Sequence, residues 1–397
     1  MSTPMHIPMA SPDLTDAERE AVAKVLQSPI LSIGPQVVAF EQAVAAYVGA
    51  DHGIAVNSGT SGLHLCVIAS DVQAGDLVIT TPFSFIASAN CIMYERAIPL
   101  FVDVDPQTGN IDPNLVAEAA HDLMRGGDSA LRWLPRNVPT SAINRLRAIL
   151  PVHSFGQPAD MDPILATASE HQLTVIEDAC EAIGASYKGR AAGTLGDAAV
   201  FAFYPNKQIT TGEGGLIVTS RKDWADLFRS LRNQGRDIFD AWLNHTRLGY
   251  NYRLDEMSAA IGLVQTQRIE ELLCKREQVA SWYNERLAHI EMIERPQIAK
   301  QTTRMSWFVY VVRVRPPADR NTLMARLAER GVPSRPYFTP IHLQPFYQQQ
   351  FGFQRGDFPI TEYLGDVSLA LPFSGVMTEA QVDYVCEQLA ACLTMRS

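Results

Sequence analysis

The chain has little that would send it to a membrane, to nucleic acid or to a metal. It contains no run of about 18 apolar residues. The stretch from Met1 to Asp16 has neither a basic start nor an apolar core, so the pattern of a secretory leader is missing and a soluble, cytoplasmic protein is expected. Lys and Arg number 33 against 43 Asp and Glu, a net charge of −10. That surplus of acid argues against a sequence-independent grip on nucleic acid, which needs clustered cations. The six cysteines (Cys66, Cys91, Cys180, Cys274, Cys386, Cys392) include no C-x-x-C pair. Neither a disulfide framework nor a metal site is indicated, and reduced, mostly buried thiols are expected. H-E-x-x-H, G-x-S-x-G and G-x-G-x-x-G are all missing, which removes motif support for zinc hydrolase, serine hydrolase and dinucleotide-binding readings. Gly184 to Arg190 imitates part of a phosphate-binding loop but ends in Arg where that motif needs Lys followed by Ser or Thr.

What the chain does have is length and apolar content. At 397 residues, 47% of them hydrophobic, it exceeds what one core usually organises, and two domains are expected. The division is a large domain over residues 1–250 and a smaller α+β domain over 251–397. Thr15-x-x-Glu18 reads as a capping box opening a helix to about Gln27, and Gln36 to Tyr47 carries a second helical pattern. Short apolar runs then alternate with helix-length segments. Ile54–Val56 precedes a helix from about Gly62, Leu77–Ile79 one from about Phe85, and Leu100–Val102 one from Pro113. Further strands are predicted at Ala148–Val152, Leu173–Glu177, Ala198–Phe203 and Leu216–Thr219. The fold class is therefore α/β, a mostly parallel, doubly wound sheet flanked by helices. One long helix is predicted over Asp255–Leu287, then a strand over Trp307–Val314 and helices over Arg320–Arg330 and Glu379–Leu393. Met124 to Asn144, with Gly126-Gly127 and Arg125, Arg132 and Arg136, reads as a surface excursion.

Four places could carry chemistry. Asn57-Ser58-Gly59-Thr60-Ser61-Gly62 lies between a strand and a helix, where free N–H groups can face a phosphate, although such turns also precede many helices that bind nothing. Asp178 ends the strand Leu173–Glu177, at the sheet edge where open α/β folds bind ligands, and an Asp there can equally be a helix cap. Lys207 stands between a buried strand and Thr210-Thr211-Gly212-Glu213-Gly214-Gly215, a placement suited to imine formation, although a lone lysine is more often a solvated surface residue. His342, in Tyr337-Phe338-Thr339-Pro340-Ile341-His342, reads either as a pocket residue or as a packed loop histidine.

Ser58-Gly59-Thr60, Pro82-Phe83-Ser84-Phe85, Glu177-Asp178-Ala179, Lys207 with Thr211-Gly212-Glu213-Gly214-Gly215, and Gly249-Tyr250-Asn251-Tyr252-Arg253 occur together and in this order. The set closely resembles the sugar aminotransferases of the DegT/StrS type, from about Pro35 to Phe373. The resemblance implies a fold-type I enzyme dependent on pyridoxal 5'-phosphate (PLP), working as a homodimer with shared active sites. It implies Lys207 as the residue holding PLP as an imine and as the general base, Asp178 as partner of the pyridine nitrogen, and Phe85 as the ring stacked on the cofactor. Gly59 and Thr60 would bind the phosphate, with Asn251 and Arg253 reaching it from the partner subunit. Relatives often carry Ser five residues before the lysine, where this chain has Ala202, and Ser61 is the candidate substitute. They often carry Gln or His three residues after the aspartate, where this chain has Glu181, as in a subset that includes perosamine-type 4-aminotransferases.

The reaction implied passes an amino group from L-glutamate to a keto group of a nucleotide-linked sugar. C4 of a 4-keto-6-deoxy sugar is favoured over C3 because Glu181, Arg335-Pro336-Tyr337-Phe338 and Ile341-His342-Leu343-Gln344-Pro345 resemble the perosamine branch. Arg335, Tyr337 and His342 are the substrate-pocket candidates, with Arg132 and Arg136 as further diphosphate candidates. A sugar dehydratase of the same fold would carry His in place of Lys207, and a non-catalytic sensor with this fold would be expected to lose Lys207 or Asp178.

Overall fold

Nearly every residue of the central strands is buried, as a parallel sheet with helices on both faces requires. In the computed structural model, which describes residues 6–236 and 244–394, these strands are β1 (His52–Val56), β2 (Leu77–Thr80), β3 (Ile98–Phe101), β4 (Leu146–Ile149), β5 (Thr174–Asp178), β6 (Ala198–Ala202) and β7 (Gly215–Thr219). They form one seven-stranded sheet in the order β1-β7-β6-β5-β4-β2-β3. β3, β2, β4, β5 and β6 run parallel, whereas β7 is antiparallel to both β6 and β1.

The two faces of this sheet follow directly from the alternation of side chains along a strand. Ile54, Val56, Val78, Ala148, Ile176, Ala198, Val200 and Ile217 share one core with Leu63 and Val67 of α3 (Gly59–Ala69) and with Trp224 and Phe228 of the helix Lys222–Arg232. The intervening residues point the other way. Ile79, Leu100, Ile149 and Val175 pack on α5 (Pro113–Arg125) and on Met161–His171, and Ala55, Ala199, Phe201 and Val218 pack under α2 (Pro35–Val48). The predicted capping box is present: the Thr15 side chain and Glu18 bond reciprocally at the start of α1 (Asp16–Leu26).

Strand ends shift by a few residues from the sequence reading, and three helix boundaries differ with a visible cause or consequence. α3 begins at Gly59 rather than near Gly62, because Ser58 is the N-cap and its hydroxyl accepts from the Ser61 N–H. α4 begins at Ala87 and runs to Tyr94, leaving Phe85 just outside the helix. The long helix is two helices, Glu256–Gln267 and Ile269–Leu287, that meet at Arg268 (φ −100°, ψ 6°). Arg268 there binds Glu271 one turn on and, remote in sequence, Asp13 and Glu18, so a charge cluster sits at the break.

A second sheet, antiparallel and four-stranded, takes Ile293–Glu294, Tyr310–Val314, Ser368–Leu371 and Arg335–Pro336 in that order. With Arg320–Glu329 and Glu379–Thr394 it encloses its own core. A division near residue 250 is proposed as a division of cores rather than a clean cut. Ile7 lies in the second core, and Glu256–Gln267 packs on α1 and α2. The excursion after α5 is anchored: Trp133, Leu134 and Val138 pack on the large core, Arg132 pairs with Glu118 and Asp122, and Arg136 binds Asp357 through two bonds of 2.6 and 2.7 Å. Among the described residues no helix is long and apolar enough to cross a membrane.

Candidate active site

Parallel strands deliver their carboxyl ends to one edge of the sheet, and three of them end here with the residues singled out above. β5 ends in Asp178, which is 5% exposed. The Ser88 hydroxyl on α4 donates to Asp178 Oδ2 (2.7 Å), and the Cys180 N–H donates to Oδ1 (3.1 Å). Ser84 and Ser88 are also within 2.8 Å of each other, so the Pro82–Phe85 segment is tied to the aspartate through two hydroxyls. Phe85 itself is 62% exposed.

β6 leads into the turn Tyr204–Lys207, closed by the Lys207 N–H bonding Tyr204 O (2.9 Å). The Lys207 side chain is 13% exposed. Its Nζ lies 3.5 Å from Glu181 Oε1 and 3.8 Å above the centre of the Phe308 ring. Glu181 is buried and its other oxygen accepts the Phe155 N–H (2.9 Å). Burial pushes the Glu181 carboxyl above the ordinary glutamate range, and the negative Asp178 nearby adds to this while Lys207 opposes it. A primary amine, two carboxylates and an aromatic floor thus converge in a largely dry corner.

β1 leads into the start of α3. The Asn57 N–H donates to Tyr252 O (2.9 Å), which lays Asn251-Tyr252-Arg253 beside this loop in the same chain. Arg253 Nη1 donates to Asn233 Oδ1 (3.1 Å) and Asn251 is exposed. The Ser61 hydroxyl is occupied within the loop, donating to Asn57 Oδ1 (2.7 Å) with Ser58 Oγ at 2.9 Å. A Cβ on Gly59 would stand 2.8 Å from both Ala202 Cβ and Cys180 Sγ, and one on Gly215 would stand 2.6 Å from the Ser58 carbonyl. These two glycines therefore let the helix start sit directly on the ends of β5, β6 and β7, with the N–H groups of the first turn of α3 facing the same edge.

The substrate candidates separate. Tyr337 lies near Glu181: burial, then the Glu181 charge, push its hydroxyl up to about 12. Arg335 is exposed on its strand and close enough to Tyr337 to oppose that shift. His342 does not line a pocket. It is fully buried, bonded to Glu362 Oε1 (3.0 Å) and packed on Phe358, so it is a core histidine. Arg132 and Arg136 are held by the carboxylates named above and do not reach this corner as free cations.

Sequence reasoning passed over Ser88, Phe155, Phe308 and Arg276. Only Ser88 left a signal, its place four residues after Ser84, just inside the predicted helix. Glu177, next to Asp178, points to the opposite face. Its Oε2 accepts His153 Nε2–H (2.9 Å) and the Gly193 N–H (2.8 Å), and its Oε1 accepts the Leu195 and Gly196 N–H groups, both at 2.7 Å. The Ala159 N–H donates to His153 Nδ1 (3.1 Å), which makes the ring neutral with its proton on Nε2. Burial alone would raise the Glu177 carboxyl, but these donors hold it below the ordinary glutamate range. Glu177→Gln turns an amide toward donors and should cost about 3 kcal/mol of stability near neutral pH. Because a depressed carboxylate stabilises only above the ordinary glutamate pKa, that stability is lost as pH falls through the folded value. Urea melts at neutral and acidic pH should show the deficit shrinking, and a deficit that does not change with pH would contradict this account.

A family model for the DegT/DnrJ/EryC1/StrS aminotransferase family matches residues 12–390. The chain is 39% identical over 393 residues to the GDP-perosamine synthase of Caulobacter vibrioides, covering 98% of this chain and 99% of the relative. It is 31% identical over 392 residues to EpsN of Bacillus subtilis, whose name includes pyridoxal phosphate dependence, covering 97% and 96%. Among solved structures, S. venezuelae DesV superposes with a TM-score of 0.86 at 31% identity, covering 100% of both chains.

Proposed function

The chain belongs to the DegT/DnrJ/EryC1/StrS aminotransferase family, and from that premise we propose that it moves an amino group from L-glutamate to C4 of a 4-keto-6-deoxy sugar carried on a nucleotide. It is a PLP-dependent sugar aminotransferase, acting on an amino donor and a nucleotide-linked keto sugar in amino-sugar biosynthesis.

The corner around Lys207 fits PLP on the chemistry of its donors: an amine of low exposure for an aldehyde, a buried carboxylate already accepting two hydrogen bonds for a ring N–H, an exposed aromatic side chain, and the unpaired N–H groups of a helix start for a phosphate. When bound, PLP supplies the aldehyde that accepts the amino group and an electron-withdrawing ring. Lys207 holds the cofactor and moves the proton between donor carbon and cofactor carbon. Asp178 keeps the ring nitrogen's proton in place, steadied by Ser88 and the Cys180 N–H. Phe85 covers one ring face, and Gly59 and Thr60 offer their N–H groups to the phosphate, while Ser61 shapes that loop from behind. Glu181, beside Lys207, would face the cofactor, and Tyr337 and Arg335, close to Glu181, would border the sugar.

The choice of C4 is carried by the whole-length likeness to GDP-perosamine synthase together with Glu181 at the lysine. A pocket that seats one face of the sugar brings one keto carbon to the amine, which needs an approach of roughly 3–3.5 Å. GDP-, dTDP- and UDP-linked 4-keto and 3-keto sugars assayed with glutamate should show highest kcat/KM on a 4-keto substrate, with nitrogen at C4 by product NMR. Nitrogen at C3 from a preferred 3-keto substrate would overturn the position and leave the aminotransferase intact.

Two copies of the chain complete the site. Leu248, Phe85 and Tyr204 are 85%, 62% and 53% exposed, large apolar side chains of the kind a second copy covers. Asn251 and Arg253 then serve the phosphate of the partner. Lys207→Ala and Arg253→Ala subunits, each inactive alone, should regain activity when mixed, since a heterodimer rebuilds one intact site. Demonstrably mixed dimers without activity would count against a shared site.

A further inference from the structure

Arg276 is a buried cation that makes no ion pair among the described residues. It lies on the helix Ile269–Leu287, is 3% exposed, and burial pulls its pKa down to about 10. Such burial is costly unless the N–H donors of the fork find acceptors. Here both Nη groups do. Nη2 donates to the carbonyls of Asn206 (3.2 Å) and Lys207 (2.6 Å), and Nη1 donates to those of Trp307 (3.3 Å) and Phe308 (3.1 Å).

The two carbonyl pairs belong to segments far apart in sequence. Asn206 and Lys207 follow β6 of the large sheet, and Trp307 and Phe308 precede Tyr310–Val314 of the small one. Both segments matter to one amine. The first is the main chain from which the Lys207 side chain springs, and the second carries the ring on which its Nζ rests at 3.8 Å. A lysine at 276 would keep the charge but not the planar fork that spans four acceptors.

The geometry points to Arg276 as the positioning residue of Lys207: by clamping the carbonyls of residues 206 and 207 to those of 307 and 308, it sets the reach and direction of the amine. This rests on the reading of Lys207 as the reactive amine. Without the clamp the turn and the Phe308 ring can move separately, and an error of about 1 Å at a reacting group costs on the order of 10²-fold. Arg276 touches no reacting atom and is not a catalytic residue.

The test compares wild type, Arg276→Met, Arg276→Lys and Lys207→Ala. Cofactor-free protein is mixed with PLP, and the rate of capture is followed by absorbance, with borohydride reduction and peptide mapping to identify the lysine bound. Holoenzyme kcat and KM are measured alongside thermal melts. Arg276→Met should remain folded, capture PLP at Lys207 roughly 10²-fold more slowly and lose a similar factor in kcat with KM little changed. Arg276→Lys should fall between it and wild type, and millimolar methylguanidinium should restore part of the capture rate to Arg276→Met. Wild-type capture and kcat in a folded Arg276→Met would overturn the inference. If Arg276→Met does not fold, Arg276→Lys decides, and wild-type capture by that variant overturns it. Failure of the underlying reading looks different: wild type itself would be tagged at another lysine, or Lys207→Ala would still turn over.

Discussion

Lys207→Ala should lose about 10⁴-fold in turnover, the full span that a positioned acid–base group contributes, while the chain still melts cooperatively. No other lysine or arginine among the described residues pairs with Glu181, so nothing in this corner can take over the amine's work. The fold should survive because the Tyr204–Lys207 turn is held by the main chain, through the Lys207 N–H and the two carbonyls that Arg276 binds. What suffers is Glu181, left buried without its cation. Its carboxyl, already raised by burial, should rise further. A carboxyl with a raised folded pKa contributes stability that is fully present below the ordinary glutamate value and lost as pH rises through the folded one. The variant's stability deficit should therefore be largest at neutral to alkaline pH and shrink on acidification, and adding Glu181→Gln should remove much of it without restoring turnover. Thermal melts across that range and a glutamate-dependent assay check both halves. Residual turnover above a few per cent of wild type would end the assignment.

How far the sequence could be read follows from the range of the interactions involved. The positions of Asp178 and Lys207 were legible from local pattern, an apolar strand ending in a carboxylate or running into a glycine-rich turn, but only the resemblance to the aminotransferase family attached roles to them. The reversal of β7 was also within reach. The twelve residues between Ala202 and Gly215 hold no helix, whereas a parallel return is usually made through one. Arg276 was not legible. In Glu270-Glu271-Leu272-Leu273-Cys274-Lys275-Arg276-Glu277 it reads as one more solvated helix charge, and only carbonyls about 70 residues before it and 31 after bury it. His342 failed for the same reason in reverse: its partner Glu362 is 20 residues away and turns a pocket candidate into a core residue. The charge cluster at the Arg268 helix break draws in Asp13 and Glu18, some 250 residues earlier.

Asp178→Asn should keep its fold and much of its cofactor and lose roughly 10²-fold in kcat. The fold is preserved because the surroundings can accept an amide. Oδ1 still takes the Cys180 N–H, and the Ser88 hydroxyl, which has Ser84 Oγ at 2.8 Å and Phe85 O at 3.2 Å as alternative partners, can rotate to accept from the new NH₂ group. The rate is not preserved. A neutral amide does not hold the ring nitrogen's proton as a carboxylate does, and removing one charge from a buried pair typically costs about 3 kcal/mol, which is roughly 10²-fold in rate. Ser88→Ala separates the two contributions, since it leaves the charge and removes only one hydrogen bond of about 1.5–3 kcal/mol at most. It should therefore be the milder variant. PLP titration by absorbance, thermal melts and kcat for both variants decide the matter. An Asp178→Asn enzyme with near-normal kcat would mean that another group holds the ring nitrogen, and the assignment of Asp178 would fall while that of Lys207 stood.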